Sequence, residues 1–263
     1  MSRVLLWFRV AATFILMTIG AFVMLIVAIP TLFLARRFYS EVMARALGAM
    51  VLRLWGVRYR GHGAPQPASR QTVYIANHSS TLDLFVLIAL GLPRTRFFLS
   101  GFLRKVPPIG IVGSLIRIFW TVPQEFPNER RAIFKRAARI LRQTGDSVFL
   151  SPEGKRVTTG DIGKFNKGSF HLATSLGAPI VPMYFAVPRA IDPGMGYDAK
   201  PGVLDVYFLP PIDTSDWTVD EVEQHRDDVR ALYVRVHHAV RETGALPASL
   251  LLEDAPLMEE ALA

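Results

Sequence analysis

The chain has 263 residues, which is enough for one sizeable α/β domain with an appendage. Hydrophobic residues make up 51% and charged residues only 20%, and the mean hydropathy is +0.28. This composition excludes a disordered chain and indicates a segment that is embedded in or docked on a membrane. Cysteine is absent, which excludes disulfides, thiol nucleophiles and cysteine-based zinc sites. Any chemistry must therefore come from histidine, serine, carboxylates or cations.

The net charge of +8 is unevenly distributed along the chain. Residues 1–140 contain 19 Lys and Arg against 4 Asp and Glu, whereas residues 141–263 contain 11 against 18. A basic first half suits an anionic lipid surface, a phosphate-bearing substrate or nucleic acid. Because the basic residues are interleaved with membrane-type sequence and no recognised nucleic-acid module is present, nucleic acid is the least favoured partner.

The N-terminal region contains 26 uncharged residues at positions 10–35. At about 1.5 Å per residue, this run exceeds the roughly 30 Å thickness of the bilayer core. Arg36 and Arg37 follow directly, which favours a retained anchor over a cleaved signal peptide. Pro30 lies inside the run, so a straight span and a broken or re-entrant helix are both open.

The next stretch, residues 39–57, has a different pattern. Apolar positions recur every four residues, at Val42, Ala46, Met50 and Leu54. This pattern predicts an amphipathic helix in the membrane interface, or alternatively an ordinary helix that faces the protein core. We therefore interpret residues 1–57 as N-terminal membrane-anchoring helices.

Beyond residue 57, short apolar runs alternate with helical patterns. Strands are predicted at 72–77, 96–100, 146–150, 178–187 and 203–210, and helices at 81–93, 128–143 and 216–242, the last of them capped by Ser215. This alternation indicates an α/β fold. We predict a single domain at 58–250, with a central mixed sheet flanked by helices, and a C-terminal tail at 251–263. The N-terminal membrane-associated helical pair precedes this domain.

The first constellation with chemical potential is NHSSTLD, at residues 77–83, where a strand ends and a helix begins. Open α/β sheets build active sites at such positions. His78 and Asp83 would lie about 140° apart on one continuous helix. Contact therefore requires His78 in the loop and Asp83 in the first helical turn, and such a pair is a general base.

The second constellation is SPEGKR, at residues 151–156, again directly after a strand. A glycine beside two cations suits close approach to a phosphate group. Lys167 and Gly168 form another basic turn that would extend the same anion site. The alternative is that both segments are solvated polar turns.

Four ordered segments resemble the conserved blocks of the glycerolipid acyltransferases, the family that includes 1-acylglycerol-3-phosphate acyltransferase. They are NHSSTLD, SPEGKR, KFNKGSFHLA and IVPM, within residues 70–190. The resemblance implies that His78 and Asp83 are catalytic. It further implies that the substrate is bound by Glu153, Gly154, Lys155, Arg156, Lys167 and Gly168. Acyl transfer would be direct, and no cofactor or metal is implied.

This chain departs from the family pattern in two of the blocks. Pro123 and Gln124 stand where the second block usually carries an arginine. The candidate replacements for that arginine are Arg117, Arg130 and Arg131. In the third block, Ser151 replaces a phenylalanine and Lys155 replaces a threonine, which adds a cation to the headgroup pocket.

The expected function is transfer of a fatty acyl group from acyl-CoA or acyl carrier protein to the hydroxyl of a lysophospholipid. The expected acceptor is 1-acylglycerol-3-phosphate, which gives phosphatidic acid, and another lysolipid is the alternative. The expected partners are the lipid bilayer, the acceptor and the acyl carrier, at the inner membrane with the catalytic domain on the cytoplasmic side. Two further alternatives are a catalytically silent anionic-lipid-binding protein and a metal-dependent hydrolase with His78, Asp83 and Glu153 as ligands.

Overall fold

The computed structural model describes residues 3–194 and 198–247. The helices within them are α1 (Arg3–Ala28), α2 (Arg36–Phe38), a π-helix (Tyr39–Ala44), α3 (Arg45–Leu54), α4 (Asp83–Ala89), a 3₁₀ turn (Leu103–Lys105), α5 (Pro107–Leu115), α6 (Pro127–Thr144), α7 (Gly168–Leu176) and α8 (Val222–Thr243). The strands are β1 (Val57–His62), β2 (Val73–Ala76), β3 (Thr95–Ser100), β4 (Phe119–Thr121), β5 (Ser147–Leu150), β6 (Ile180–Ala186) and β7 (Gly202–Phe208). The predicted tail at 251–263 and the last three residues of the predicted domain lie outside the described residues.

The strands form one seven-stranded sheet in the order β1-β7-β6-β2-β5-β3-β4. Neighbouring strands are parallel except for β6 and β7, which are antiparallel. The predicted mixed sheet flanked by helices is confirmed. Because β2 and β5 are parallel neighbours, the loops that follow them leave the same edge of the sheet.

Helices cover both faces of this sheet. Tyr74 and Ala76 of β2 point to one face, where they belong to an apolar core shared with α1, α3, α4 and α5. Val73 and Ile75 point to the other face and pack in a core with α6, α7 and α8. This alternation is the period-two arrangement of side chains along a strand, and it separates the N-terminal helices from α6–α8.

Helix α1 is long and apolar enough to cross a membrane by length and composition. It ends at Ala28, two residues before Pro30, and the chain then reverses direction. Leu32 and Phe33 adopt positive φ values of 49° and 60° in this turn, and the Phe33 N–H donates to the Ala28 carbonyl. Pro30 therefore lies in a reversal after the helix and does not kink it.

The apolar stripe predicted at 42–54 faces the protein core only at its C-terminal end, where Leu54 packs against it. Val42 and Met50 are 52% and 42% exposed, whereas the residues buried in this region include Ala44, Leu47 and Val51. Helix α3 nevertheless packs against the protein core through Val51 and Leu52, and Leu54 of the stripe is half-buried against that core. The location of this region in the membrane interface stays a prediction.

The structure differs from the predicted elements at several points. Helix α8 begins at Val222 rather than near residue 216, and Ser215 does not cap it because its N–H and hydroxyl both bond to Asp213. A local Asx-type turn competes here with helix initiation. Strand β1 was not predicted, because its alternating Arg58 and Arg60 lie beside glycine-rich and proline-rich sequence that favours turns.

Candidate active site

The loops after β2 and β5 meet at the carboxyl edge of the sheet. His78 lies in the loop two residues beyond the end of β2, and Asp83 is the first residue of α4. The Ser151–Arg156 segment begins directly after β5. The strand order thus brings together two segments that are distant in the sequence, with His78 and Glu153 in contact across 75 positions.

His78 and Asp83 are hydrogen-bonded. The distance between His78 Nδ1 and Asp83 Oδ2 is 2.9 Å, and the same Oδ2 accepts from the backbone N–H groups of Ser79 and Ser80 at 2.8 and 2.9 Å. Asp83 is 4% exposed. Since a carboxylate only accepts, Nδ1 carries the proton, and His78 Nε2 is left to accept one from a bound hydroxyl.

Two buried polar contacts hold this loop from elsewhere in the chain. The Asn77 side chain donates to the Phe185 carbonyl and accepts from the Phe185 N–H, at 3.1 and 2.8 Å. The Ser80 hydroxyl bonds to the buried carboxylate of Asp192, whose other oxygen accepts from the Gly194 N–H. Sequence reasoning missed Asp192, because a lone aspartate far along the chain carries no motif.

Glu153 does not line the cavity around His78. It is 3% exposed, and its two oxygens accept from the backbone N–H groups of His78 at 2.6 Å and Gly163 at 2.7 Å. Burial raises the pKa of Glu153 despite these two donors, which lower it. This side chain therefore braces the loop of His78 and the loop at Gly163, and its contact with substrate stays a prediction.

A cavity of about 670 Å³ opens beside His78, a size typical of small-molecule sites. One part of its lining is polar and includes the imidazole of His78. Another part is apolar and is formed by Leu84, Leu87, Phe98, Leu99, Phe102, Leu103, Phe134, Phe149 and Phe185. A ligand with a long hydrocarbon part and a polar part matches such walls.

Three cations line the polar part of the cavity, namely Arg130, Lys155 and Arg156. Within the described residues, the side chains of Lys155 and Arg156 make no hydrogen bond or ion pair, whereas Arg130 Nη1 donates to the Val122 carbonyl at 2.8 Å. Burial lowers the pKa of Arg130. Of the three arginines considered as replacements for the missing block-two arginine, Arg130 is the one in this cavity.

The other predicted binding residues divide into those that line the cavity and those that do not. Gly154 lines it at a φ of 67°, a conformation that favours glycine, and a Cβ there would meet the Asn166 amide at 2.8 Å. Lys167 is instead paired with Glu223 at the surface, and Gly168 packs against the Phe134 ring. Lys167 and Gly168 therefore lie outside the cavity lining, and their part in substrate binding stays a prediction.

The residues proposed as ligands in the hydrolase alternative do not form a three-ligand cluster. Among residues 3–194 and 198–247, no group of three or more His, Asp or Glu side chains is placed to hold a metal ion. Glu153 directs its oxygens to backbone amides.

The sequence pattern of the Acyltransferase family matches residues 57–186, which include both loops of the site. The chain belongs to the glycerolipid acyltransferase family and is an acyltransferase enzyme.

Several relatives carry a more particular name. The chain is 29% identical over 199 residues to a 1-acyl-sn-glycerol-3-phosphate acyltransferase of Limnanthes alba, covering 74% of this chain and 69% of the relative. It is 28% identical over 201 residues to the human 1-acyl-sn-glycerol-3-phosphate acyltransferase alpha, covering 73% and 68%.

A solved structure has the same fold. It is the crystal structure of the 1-acyl-sn-glycerophosphate acyltransferase PlsC from Thermotoga maritima, with a TM-score of 0.63 over 86% of this chain and 96% of that one. The two sequences are 18% identical.

Proposed function

We propose that this enzyme transfers a fatty acyl group from acyl-CoA or acyl carrier protein to the hydroxyl of a lysophospholipid at a membrane surface. The proposed acceptor is 1-acylglycerol-3-phosphate, and the product is then phosphatidic acid. The names of the relatives support this acceptor. The observation that carries the proposal is the His78–Asp83 pair in a cavity that has both an apolar wall and free cations.

In the proposed reaction, His78 is the general base. Its Nε2 takes the proton of the acceptor hydroxyl while the hydroxyl oxygen attacks the thioester carbonyl. The tetrahedral intermediate collapses, the carbon–sulfur bond breaks, and the departing sulfur receives the proton from the imidazolium. Asp83 holds the imidazole orientation and stabilises its positive charge during the transfer. No covalent acyl-enzyme is required, because a thiolate is already a good leaving group.

The cations of the cavity supply the proposed acceptor site. A phosphate monoester carries negative charge and several acceptor oxygens, which guanidinium groups bind through charge-assisted hydrogen bonds. Arg156 lies in the loop after β5, and Arg130 lies in the first turns of α6. The two arginines therefore approach the polar part of the cavity from different elements. We assign phosphate binding to these two arginines, with Lys155 as a third charge.

The outward surface of α1 supports docking on a membrane. Large apolar side chains along the helix are exposed, among them Phe14, Ile15, Ile19, Phe22 and Ile26. The turn after the helix also exposes Leu32 and Leu34, at 73% each. Monomeric soluble proteins rarely leave so large a contiguous apolar surface open to water.

The inward contacts of α1 favour a helix that lies along the enzyme over one that crosses the bilayer away from it. Thr13 accepts from the Trp55 indole N–H at 2.8 Å, and Ala21, Met24 and Ala28 are buried against the protein. The residues that make these contacts are distributed from the middle of α1 to its C-terminal end. We therefore propose that α1 enters one leaflet with its axis along the membrane surface.

We also propose that the enzyme lies on the cytoplasmic side of the inner membrane.

The decisive test is a product assay. The purified protein is incubated with a panel of lysolipids and with acyl-CoA or acyl carrier protein as donor, and the products are identified by mass. We expect phosphatidic acid from 1-acylglycerol-3-phosphate, and little product from lysolipids without a phosphate monoester. Folded protein that acylates no lysolipid with either donor would overturn the proposal and favour the silent lipid-binding alternative.

A further inference from the structure

A second cavity lies between the N-terminal helix and α5. Its volume is about 490 Å³. Leu25, Phe33 and Ile111 contribute apolar side chains, and Arg104 and Arg117 contribute cations. We call it the α1/α5 groove. No described residue lines both this groove and the cavity beside His78, so the groove is a separate site.

The two arginines of the α1/α5 groove have no partner within residues 3–194 and 198–247. Both are exposed, and no hydrogen bond or ion pair engages either guanidinium there. Among the residues that the structure describes, no acidic side chain lines the groove. Because guanidinium groups bind phosphate oxygens through paired hydrogen bonds, the groove has the charge to bind an anionic phosphate group.

The surroundings of the α1/α5 groove are apolar. Phe33 belongs to the turn after α1, in which Leu32 and Leu34 are 73% exposed. The outward surface of α1 runs from this turn toward the N-terminus. A ligand with phosphate at the arginines therefore has hydrocarbon-binding surface directly beside its polar group.

We propose that the α1/α5 groove binds the headgroup of an anionic bilayer phospholipid, separate from the acceptor in the active site. The ligand's phosphate lies between Arg104 and Arg117, and its acyl chains remain in the leaflet beside Phe33. This inference rests on the proposed membrane docking of α1. The groove borders α5, which follows the 3₁₀ turn whose residue Leu103 lines the active-site cavity. A lipid bound in the groove would therefore orient the active-site cavity relative to the membrane surface.

The test compares vesicle binding of the full chain and two doubly substituted variants. The variant Arg104→Ala with Arg117→Ala removes the groove cations. The matched control, Arg136→Ala with Arg139→Ala, removes two exposed cations from α6, on the opposite face of the sheet. Each protein is sedimented with vesicles of phosphatidylcholine alone and with vesicles that also contain phosphatidylglycerol.

We expect the groove variant to lose most of its preference for phosphatidylglycerol vesicles. At about fivefold per cation close to the surface, the loss is roughly 30-fold, whereas the control loses clearly less. Binding to neutral vesicles is unchanged in both variants, because the outward surface of α1 is intact. Equal losses in the two variants would overturn the proposal, since they would reflect net charge alone.

Two further outcomes separate this inference from the proposals on which it rests. If the unsubstituted protein binds no vesicles, the proposed membrane docking fails and the groove proposal fails with it. If it binds, and the groove variant instead shows a raised KM for 1-acylglycerol-3-phosphate in neutral detergent micelles with its vesicle preference intact, the groove serves the acceptor. That outcome overturns the separate lipid site and leaves the proposed reaction standing.

Discussion

At the scale of single residues, the proposed chemistry depends on one imidazole nitrogen. His78 Nδ1 bonds to Asp83, so Nε2 is the atom available for proton transfer. We expect His78→Ala to lower kcat by about 10²–10⁴-fold, the range that general-base catalysis contributes, while the protein stays folded. Steady-state kinetics and thermal unfolding on the same preparation check this. Near-native turnover by the folded variant would refute the assignment of His78 as base.

The role of the Asp83 carboxylate is tested separately. Its Oδ2 accepts hydrogen bonds from three N–H groups. Asp83→Asn keeps the shape but removes the charge that stabilises the imidazolium. We expect a fall in kcat of up to about 10⁴-fold, as replacement of the carboxylate in comparable triads produces, with a smaller change in KM. If kcat stays within threefold or so of the original, the carboxylate has a structural role alone.

Arg156 makes no side-chain hydrogen bond or ion pair within the described part of the chain, although it lines the active-site cavity. We therefore expect Arg156→Ala to raise the KM for 1-acylglycerol-3-phosphate by about 10–100-fold, the worth of one charged hydrogen bond. The matched control is Arg139→Ala, an exposed cation of α6. An unchanged KM for Arg156→Ala would show that Arg130 and Lys155, and not Arg156, bind the phosphate.

At the scale of elements, two strand-loop units form the site, and Glu153 connects them. Its carboxylate spans from the loop after β2 to the Gly163 amide. In Glu153→Gln, one of the two amides faces an NH₂ group and loses its acceptor. We expect the free energy of unfolding to fall by about 1–3 kcal/mol, together with a lower kcat because His78 moves. Chemical denaturation and kinetics measure both effects, and a stable variant with native kcat would contradict this role.

Helix α1 has two surfaces with different expected roles. Ile19 and Phe22 are each 57% exposed, whereas Met24 is 1% exposed. Replacing both Ile19 and Phe22 by serine should weaken vesicle binding at least roughly tenfold, because each large apolar side chain is worth about 1.5–3 kcal/mol when buried. Met24→Ser should mainly lower the free energy of unfolding. If the outward substitutions leave vesicle binding unchanged, α1 does not dock the enzyme through this surface.

At the scale of the whole molecule, a buried network of ion pairs joins the N-terminal helices to the seven-stranded sheet. Asp146 precedes β5 and accepts from Arg36 at 2.6 Å and from Arg96 at 2.9 Å, and all three residues are buried. Burial lowers the pKa of Arg36, and the charge of Asp146 raises it. This cluster ties the chain just beyond the α1 turn to β3 and β5.

Asp146→Ala should therefore be strongly destabilising. It leaves two buried guanidinium groups without their counter-ion, which costs about 3–5 kcal/mol. The control is Asp227→Ala, whose partner is Arg226 and whose side chain is 60% exposed; surface pairs contribute about 0–1 kcal/mol. Equal free energies of unfolding for the two variants would show that the Arg36–Asp146–Arg96 cluster does not join the two parts.

The whole-molecule arrangement also revises the distribution of charge. The basic first half of the sequence suggested cations collected around the N-terminal anchor. Helix α6 carries five of them, yet it packs on the sheet face opposite α1. The cations beside α1 include Arg104 and Arg117 of the α1/α5 groove.

Features that depend on neighbours within a few residues follow from the local sequence. The apolar N-terminal segment, most strands and the loop position of His78 before the helical Asp83 were predictable, because hydrophobic periodicity and helix starts are local signals. Which distant residues meet depends instead on the arrangement of the folded chain. Asp192 contacts Ser80 across 112 positions, Arg130 rather than Arg117 or Arg131 lines the cavity, and Glu153 braces loops instead of facing the cavity. Strand order and the two faces of the sheet set these contacts, and neither is encoded in any short stretch of sequence.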